Sequence, residues 1–173
     1  LGEDYAAAYF KNFPIRTNWS FVSDESLKNN FDALTDPRLF KAAEFLKAIG
    51  PERADGYLKA VSEAYCEEIK KGKEKGIGAL DILTDARVLA SAGAIKAMGP
   101  RIASTYFAVL AETGAIAELA DARVLGAAEF MNTIGDRNTT TYLYVLAKTK
   151  ALAALTDPRV FGTAKYLDNK DYR

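Results

Sequence analysis

The phrase Leu-x-Asp-x-Arg occurs four times in this chain, as Leu34-Thr35-Asp36-Pro37-Arg38, Leu83-Thr84-Asp85-Ala86-Arg87, Leu119-Ala120-Asp121-Ala122-Arg123 and Leu155-Thr156-Asp157-Pro158-Arg159. Its aspartates are spaced by 49, 36 and 36 residues. A period in the range of roughly 20 to 50 residues marks a repeat array, in which each unit is one supersecondary element that cannot bury its apolar face alone. The phrase therefore constrains the architecture before any other feature is weighed.

Each copy reads as a helix start. An aspartate side chain caps the free amides of a first turn, and Pro37 and Pro158 follow where a missing N–H is harmless. Apolar residues then recur at helical spacing, as Leu39, Ala42, Ala43, Leu46 and Ile49 in the first copy and Val124, Ala127, Ala128, Met131 and Ile134 in the third. Gly50, Gly99 and Gly135 come next and are expected to be left-handed helix stops. A second helix follows each glycine, with a tyrosine at a matched place: Tyr57, Tyr106 and Tyr142. In the second and third copies that tyrosine precedes the next aspartate by 15 residues. In the first copy the distance is 28, because a charged, glycine-punctuated insertion at residues 67–78 intervenes, expected to lengthen the helix and close with a loop.

The pattern predicts an all-α chain, a right-handed stack of antiparallel helical hairpins of α-solenoid type with a repeat near 36 residues. Residues 1–33 read as an N-terminal half-repeat with an irregular insertion, Tyr5 standing in the tyrosine place. Residues 34–173 read as the repeat domain, divided at 34–82, 83–118, 119–154 and a terminal half-repeat at 155–173. The run Leu155-Thr156-Asp157-Pro158-Arg159-Val160, and Val124 through Ala127-Ala128 to Ile134-Gly135-Asp136-Arg137, resemble HEAT-type helical repeats over roughly residues 34 to 167. Where such repeats usually carry an arginine after the valine, this chain has Phe40, Leu89, Leu125 or Phe161. The resemblance implies an α-solenoid whose relatives mostly bind other proteins.

Charge and composition narrow the classes of function. Twenty-three basic residues balance twenty-three acidic ones, so the chain lacks the basic field that non-specific nucleic-acid binding draws on. No apolar run reaches the ~18 to 20 residues of a membrane-spanning helix. Histidine is absent and Cys66 is the single cysteine, which removes the commonest general base and leaves no histidine to activate the thiol. Glu44 and Glu129 share a register position but lie two repeats apart, too far to share a proton. The expectation is no enzyme, no cofactor, no metal and no small-molecule substrate. Missing glutamine and scarce Met beside abundant Glu, Lys and Arg lean toward a thermophilic source. The triplets at Asn18 and Asn138 are glycosylation acceptors and suit an extracellular or cell-envelope protein, one that opens at Leu1 as a processed chain or a piece of a longer one.

Three residue sets are candidates for contact. Arg38, Arg87, Arg123 and Arg159 form a ladder that either ties repeat to repeat or grips an anionic partner. Tyr57, Tyr106 and Tyr142 are either groove aromatics or inter-repeat core. Tyr5, Tyr9 and Phe10 at one end, and Lys165, Tyr166 and Leu167 at the other, are unlike half-hairpins suited to self-assembly. The expected function is a non-enzymatic scaffold for protein contact, with copies of itself as one partner through head-to-tail growth into a filament or ring. The alternative is a peptide- or glycan-binding module of a larger secreted or cell-envelope protein.

Overall fold

The computed structural model describes residues 35–70 and 77–163, and these hold helices and turns with no strand among them. In chain order the helices are α1 (Pro37–Lys41), α2 (Ala43–Ile49), α3 (Pro51–Lys70), α4 (Ile77–Leu83), α5 (Ala86–Leu89), α6 (Ala92–Ala97), α7 (Pro100–Thr113), α8 (Ile116–Leu119), α9 (Ala122–Leu125), α10 (Ala128–Thr149), α11 (Leu152–Leu155) and α12 (Pro158–Phe161).

Each aspartate of the phrase is an N-cap. Asp36, Asp85, Asp121 and Asp157 accept the backbone N–H two residues on at 2.8 to 2.9 Å, which satisfies one of the amides a helix start leaves open. The helix so begun is not continuous to the glycine, as the apolar spacing suggests. After about one turn it tightens: Ala42, Ser91, Ala127 and Thr163 each donate their N–H to the carbonyl three residues back, at 3.0 Å. The Ser91 and Thr163 hydroxyls bond those same carbonyls at 2.6 Å. The helical ladder then resumes as α2, α6 and α10. A spacing of three and four is compatible with either a straight or a stepped helix, so the step is invisible in the apolar pattern.

Gly50 (φ 85°) and Gly135 (φ 74°) lie in the left-handed region and turn the chain into its second helix. Gly99 differs from expectation: at φ −60° and ψ 153° it is extended and stands before Pro100 at the start of α7. A residue before proline is driven out of the helical region, which accounts for it. At Gly135 the chain turns within α10, so residues before it continue one layer and those after it the other.

Those layers set the core. In one, α2 touches α6 and α6 touches α10; in the other, α3 touches α7 and α7 touches α10. Between them Tyr57, Ile95, Tyr106, Phe107, Leu110 and Met131 are fully enclosed. The approach of α3 to α7 is close: a Cβ on Gly56 would sit 2.9 Å from the Ser104 Cβ. The insertion lengthens its helix as expected, α3 having 20 residues where α7 has 14.

Both α7 and α10 end at a threonine, Thr113 and Thr149, followed by a left-handed residue, Gly114 (φ 65°) and Lys150 (φ 55°). A side chain in that region costs about 1 kcal/mol or more. Lys150→Gly is therefore expected to raise stability by up to about 1 kcal/mol, read as a higher urea midpoint, with its 4.0 Å surface ion pair to Glu118 adding little to what is lost.

Candidate functional site

The four arginines fold back on their own caps. The Nε of Arg38, Arg87, Arg123 and Arg159 donates to one oxygen of the aspartate two residues earlier at 2.9 to 3.0 Å, and a terminal nitrogen donates to the other at 2.8 to 3.1 Å. This is the two-pronged fit of a guanidinium on a carboxylate. Arg38 also reaches Asp81 in α4 at 2.7 Å, which ties α1 to the segment ahead of the second copy. The guanidinium bonds hold the carboxyls of Asp36, Asp85 and Asp157 below the usual carboxylate range and that of Asp121 down at about 2.

The three tyrosines lie in the core. Tyr57 and Tyr106 are fully buried and Tyr142 is 8% exposed, so none offers a ring face to a groove. Their hydroxyls do one job in one register: Tyr57 donates to the Leu83 carbonyl at 2.8 Å, Tyr106 to that of Leu119 at 3.1 Å and Tyr142 to that of Leu155 at 3.2 Å. Each acceptor is the leucine of the next Leu-x-Asp-x-Arg phrase. Burial drives all three phenols up, Tyr142 to about 12.

Rings complete the junctions. Phe45 packs tilted on Tyr57 with centroids 5.4 Å apart and Phe130 edge-on to Tyr142 at 5.3 Å, each pair nine and twenty-one residues past its aspartate. Across to the following copy, Phe45 and Tyr57 meet Phe107 edge-on at 6.2 and 5.1 Å, while Phe130 meets Phe161 at 4.9 Å. Polar clasps add to this at places the sequence does not advertise. The Asn132 side chain accepts the Gly99 N–H at 2.7 Å and donates to the Ala97 carbonyl at 3.0 Å. Arg53 Nε donates to the Met98 carbonyl at 2.8 Å, Thr105 donates to Asp136, and Tyr144 donates to Glu112. Nothing in a single Asn or Arg foretells such a clasp, because its partner is backbone.

Two concave surfaces stand out. Between α3 and α7 a groove of about 400 Å³ has Glu63, Glu67, Glu68 and Glu112 around an alanine floor. Near α12 a second of about 420 Å³ is lined by Gly126, Phe130, Thr133 and Phe161. Among the described residues no three His, Cys, Asp or Glu side chains are grouped to hold a metal ion, and no helix is long and apolar enough to cross a membrane. Asn138 is exposed on α10, its amide donating to the Ile134 carbonyl at 2.9 Å. Tyr5, Tyr9, Phe10, Asn18, Lys165, Tyr166 and Leu167 lie outside the described residues. Comparison with protein-family models, curated proteins and solved structures gives no match to the chain.

Removing one junction hydroxyl tests its weight. Tyr106→Phe leaves the buried Leu119 carbonyl without its donor and is expected to cost about 1 to 3 kcal/mol in urea unfolding, against less than about 1 kcal/mol for an exposed tyrosine. The pH profile carries a second signature. Because the folded aspartates titrate lower than free ones, the unfolded chain binds more protons in acid, and stability falls as pH drops from about 4 through about 2. Because the folded phenols titrate higher, the unfolded chain gives up its protons first, and stability falls as pH rises from about 10 through about 12. Urea midpoints measured across that span are expected to be flat in between, and Asp121→Asn is expected to shrink the acid limb.

Proposed function

We propose that this chain is a non-enzymatic helical-repeat scaffold of α-solenoid type whose work is protein–protein contact. The observation that carries the reading is the thrice-made bond from a buried tyrosine to the leucine carbonyl of the next phrase, in a constant register. It supports units related by one operation, each resting on the next, as in an array in which every unit touches only its neighbours. The 36-residue step of the sequence and the resemblance to HEAT-type repeats point the same way. Such arrays present long surfaces to partners and keep their chemistry simple.

The Asp–Arg pairs fit this reading as capping devices, since their guanidiniums are engaged on their own carboxylates. A peptide- or glycan-binding module that used the tyrosine row would need it open to a groove, and those side chains are core residues here.

Duplicating residues 119–154 in place tests the array. A stack gains one unit, so its largest dimension in small-angle X-ray scattering is expected to grow by about 10 Å, one helix-to-helix spacing, and its melting temperature to rise. A duplicate that fails to fold, or that swells without lengthening, overturns the reading.

A further inference from the structure

The groove between α3 and α7 has an origin in the repeat register. The two helices are tight where a Cβ on Gly56 would meet Ser104, and the seam then opens over Ala60 and Ala64 on one side and Ala108 and Ala111 on the other. A recess of about 130 Å³ lined by Gly56, Ser104 and Thr105 shares Ala60, Glu63 and Ala108 with the groove, so the hollow follows the seam from one to the other.

The next seam, between α7 and α10, carries a side chain at the matched place. Tyr144 stands twenty-three residues past Asp121 and crosses to Glu112, which stands twenty-seven past Asp85. One copy earlier the same two places hold Ala108 and Glu63, and both line the groove. The carboxylate is retained, while the ring that would donate to it is replaced by a methyl group. The groove therefore lies where a Tyr144-like side chain bridges the seam that follows.

Its charge selects the occupant. Glu63, Glu67, Glu68 and Glu112 line the groove, against Lys59 in the adjoining recess. Glu112 holds Tyr144, and Glu67 and Glu68 have interactions of their own, so Glu63 is the acceptor at issue. Its side chain is 63% exposed and meets Lys59 at 3.8 Å, a loose pair on a helix surface. Among the described residues no three acidic side chains are grouped to hold a metal ion, so these carboxylates are spread along the seam. A flat, donor-bearing head on an apolar stem suits both the matched tyrosine and the negative rim. Arginine has that form: its methylenes lie on apolar surface while its planar guanidinium grips a carboxylate.

We infer that the α3–α7 groove receives an arginine from a basic segment of another protein, the stem on the alanine floor and the guanidinium on Glu63. The inference rests on the protein-contact reading above and names the chemistry of the partner.

The test is fluorescence anisotropy of labelled octa-arginine with the whole chain at low ionic strength. Octa-arginine is expected to bind and to be released as salt rises, while a neutral peptide of Gly, Ser and Tyr is not expected to bind. Glu63→Gln is expected to weaken binding about tenfold, through the loss of one charge-assisted bond. Ala108→Tyr, which supplies the ring that Tyr144 supplies at the next seam, is expected to abolish binding and to raise the urea midpoint. Glu44→Gln, which alters an exposed carboxylate on α2, is expected to change neither. Each variant is checked for wild-type helicity by circular dichroism. The inference falls if octa-arginine does not bind, if binding survives Ala108→Tyr, if Glu44→Gln weakens it as much as Glu63→Gln does, or if Ala108→Tyr lowers the urea midpoint. Binding of the neutral peptide, or of spermidine as tightly as octa-arginine, overturns it too, since neither needs an arginine of a partner protein. If octa-arginine fails to bind while the duplicate of residues 119–154 still lengthens, the partner named here is wrong and the stacked-unit reading stands.

Discussion

A phenol buried in an apolar interior must find an acceptor, and the last carbonyls of a helix must find donors. In this protein the two needs meet. Leu83, Leu119 and Leu155 are the final residues of α4, α8 and α11, and each carbonyl accepts a hydrogen bond from the tyrosine of the helix before. Two residues beyond the leucine stands the aspartate that caps the next helix, so one bond sets both where a unit ends and where the next begins. The rest of the architecture depends on that junction. It also explains how the first copy absorbs its insertion: Tyr57 still reaches Leu83, though 26 residues separate them instead of 13.

Around each junction the packing is directional. A phenylalanine and a tyrosine of one copy make a tilted or edge-on pair, and a third ring from the next copy closes on them, as Phe107 does on Phe45 and Tyr57 and Phe161 does on Phe130. Such pairs add about 0.5 to 1.5 kcal/mol each beyond the area they bury. Gly56 lets α3 and α7 approach closely enough for these rings to meet. Asn132 and Arg53 then fasten adjacent copies through backbone carbonyls and amides, bonds that hold whatever side chains surround them.

The same arrangement decides what the surface offers. Arginines that look available in the sequence are spent on their own aspartates, and the tyrosines are spent on the junctions. Among the described residues Phe40 and Val145 keep apolar surface in water. Scattered single apolar residues on a surface need no explanation.

Much of this was legible in the chain itself. The caps at Asp36, Asp85, Asp121 and Asp157, the turns at Gly50 and Gly135, the helical class and the shared place of the tyrosines follow from local chemistry: a carboxylate beside free amides, a residue without a Cβ where φ is positive, an apolar spacing of three and four. Tertiary structure decided the rest. It showed the first helices to be stepped, Gly99 to be extended, the arginines to close on their own caps and the tyrosines to be core. It also separated Phe40 from Leu89, Leu125 and Phe161, which occupy the same position in the phrase. Register assigns a side chain to a face, whereas burial depends on what else packs against that face, and that is a property of the tertiary structure and not of any one segment.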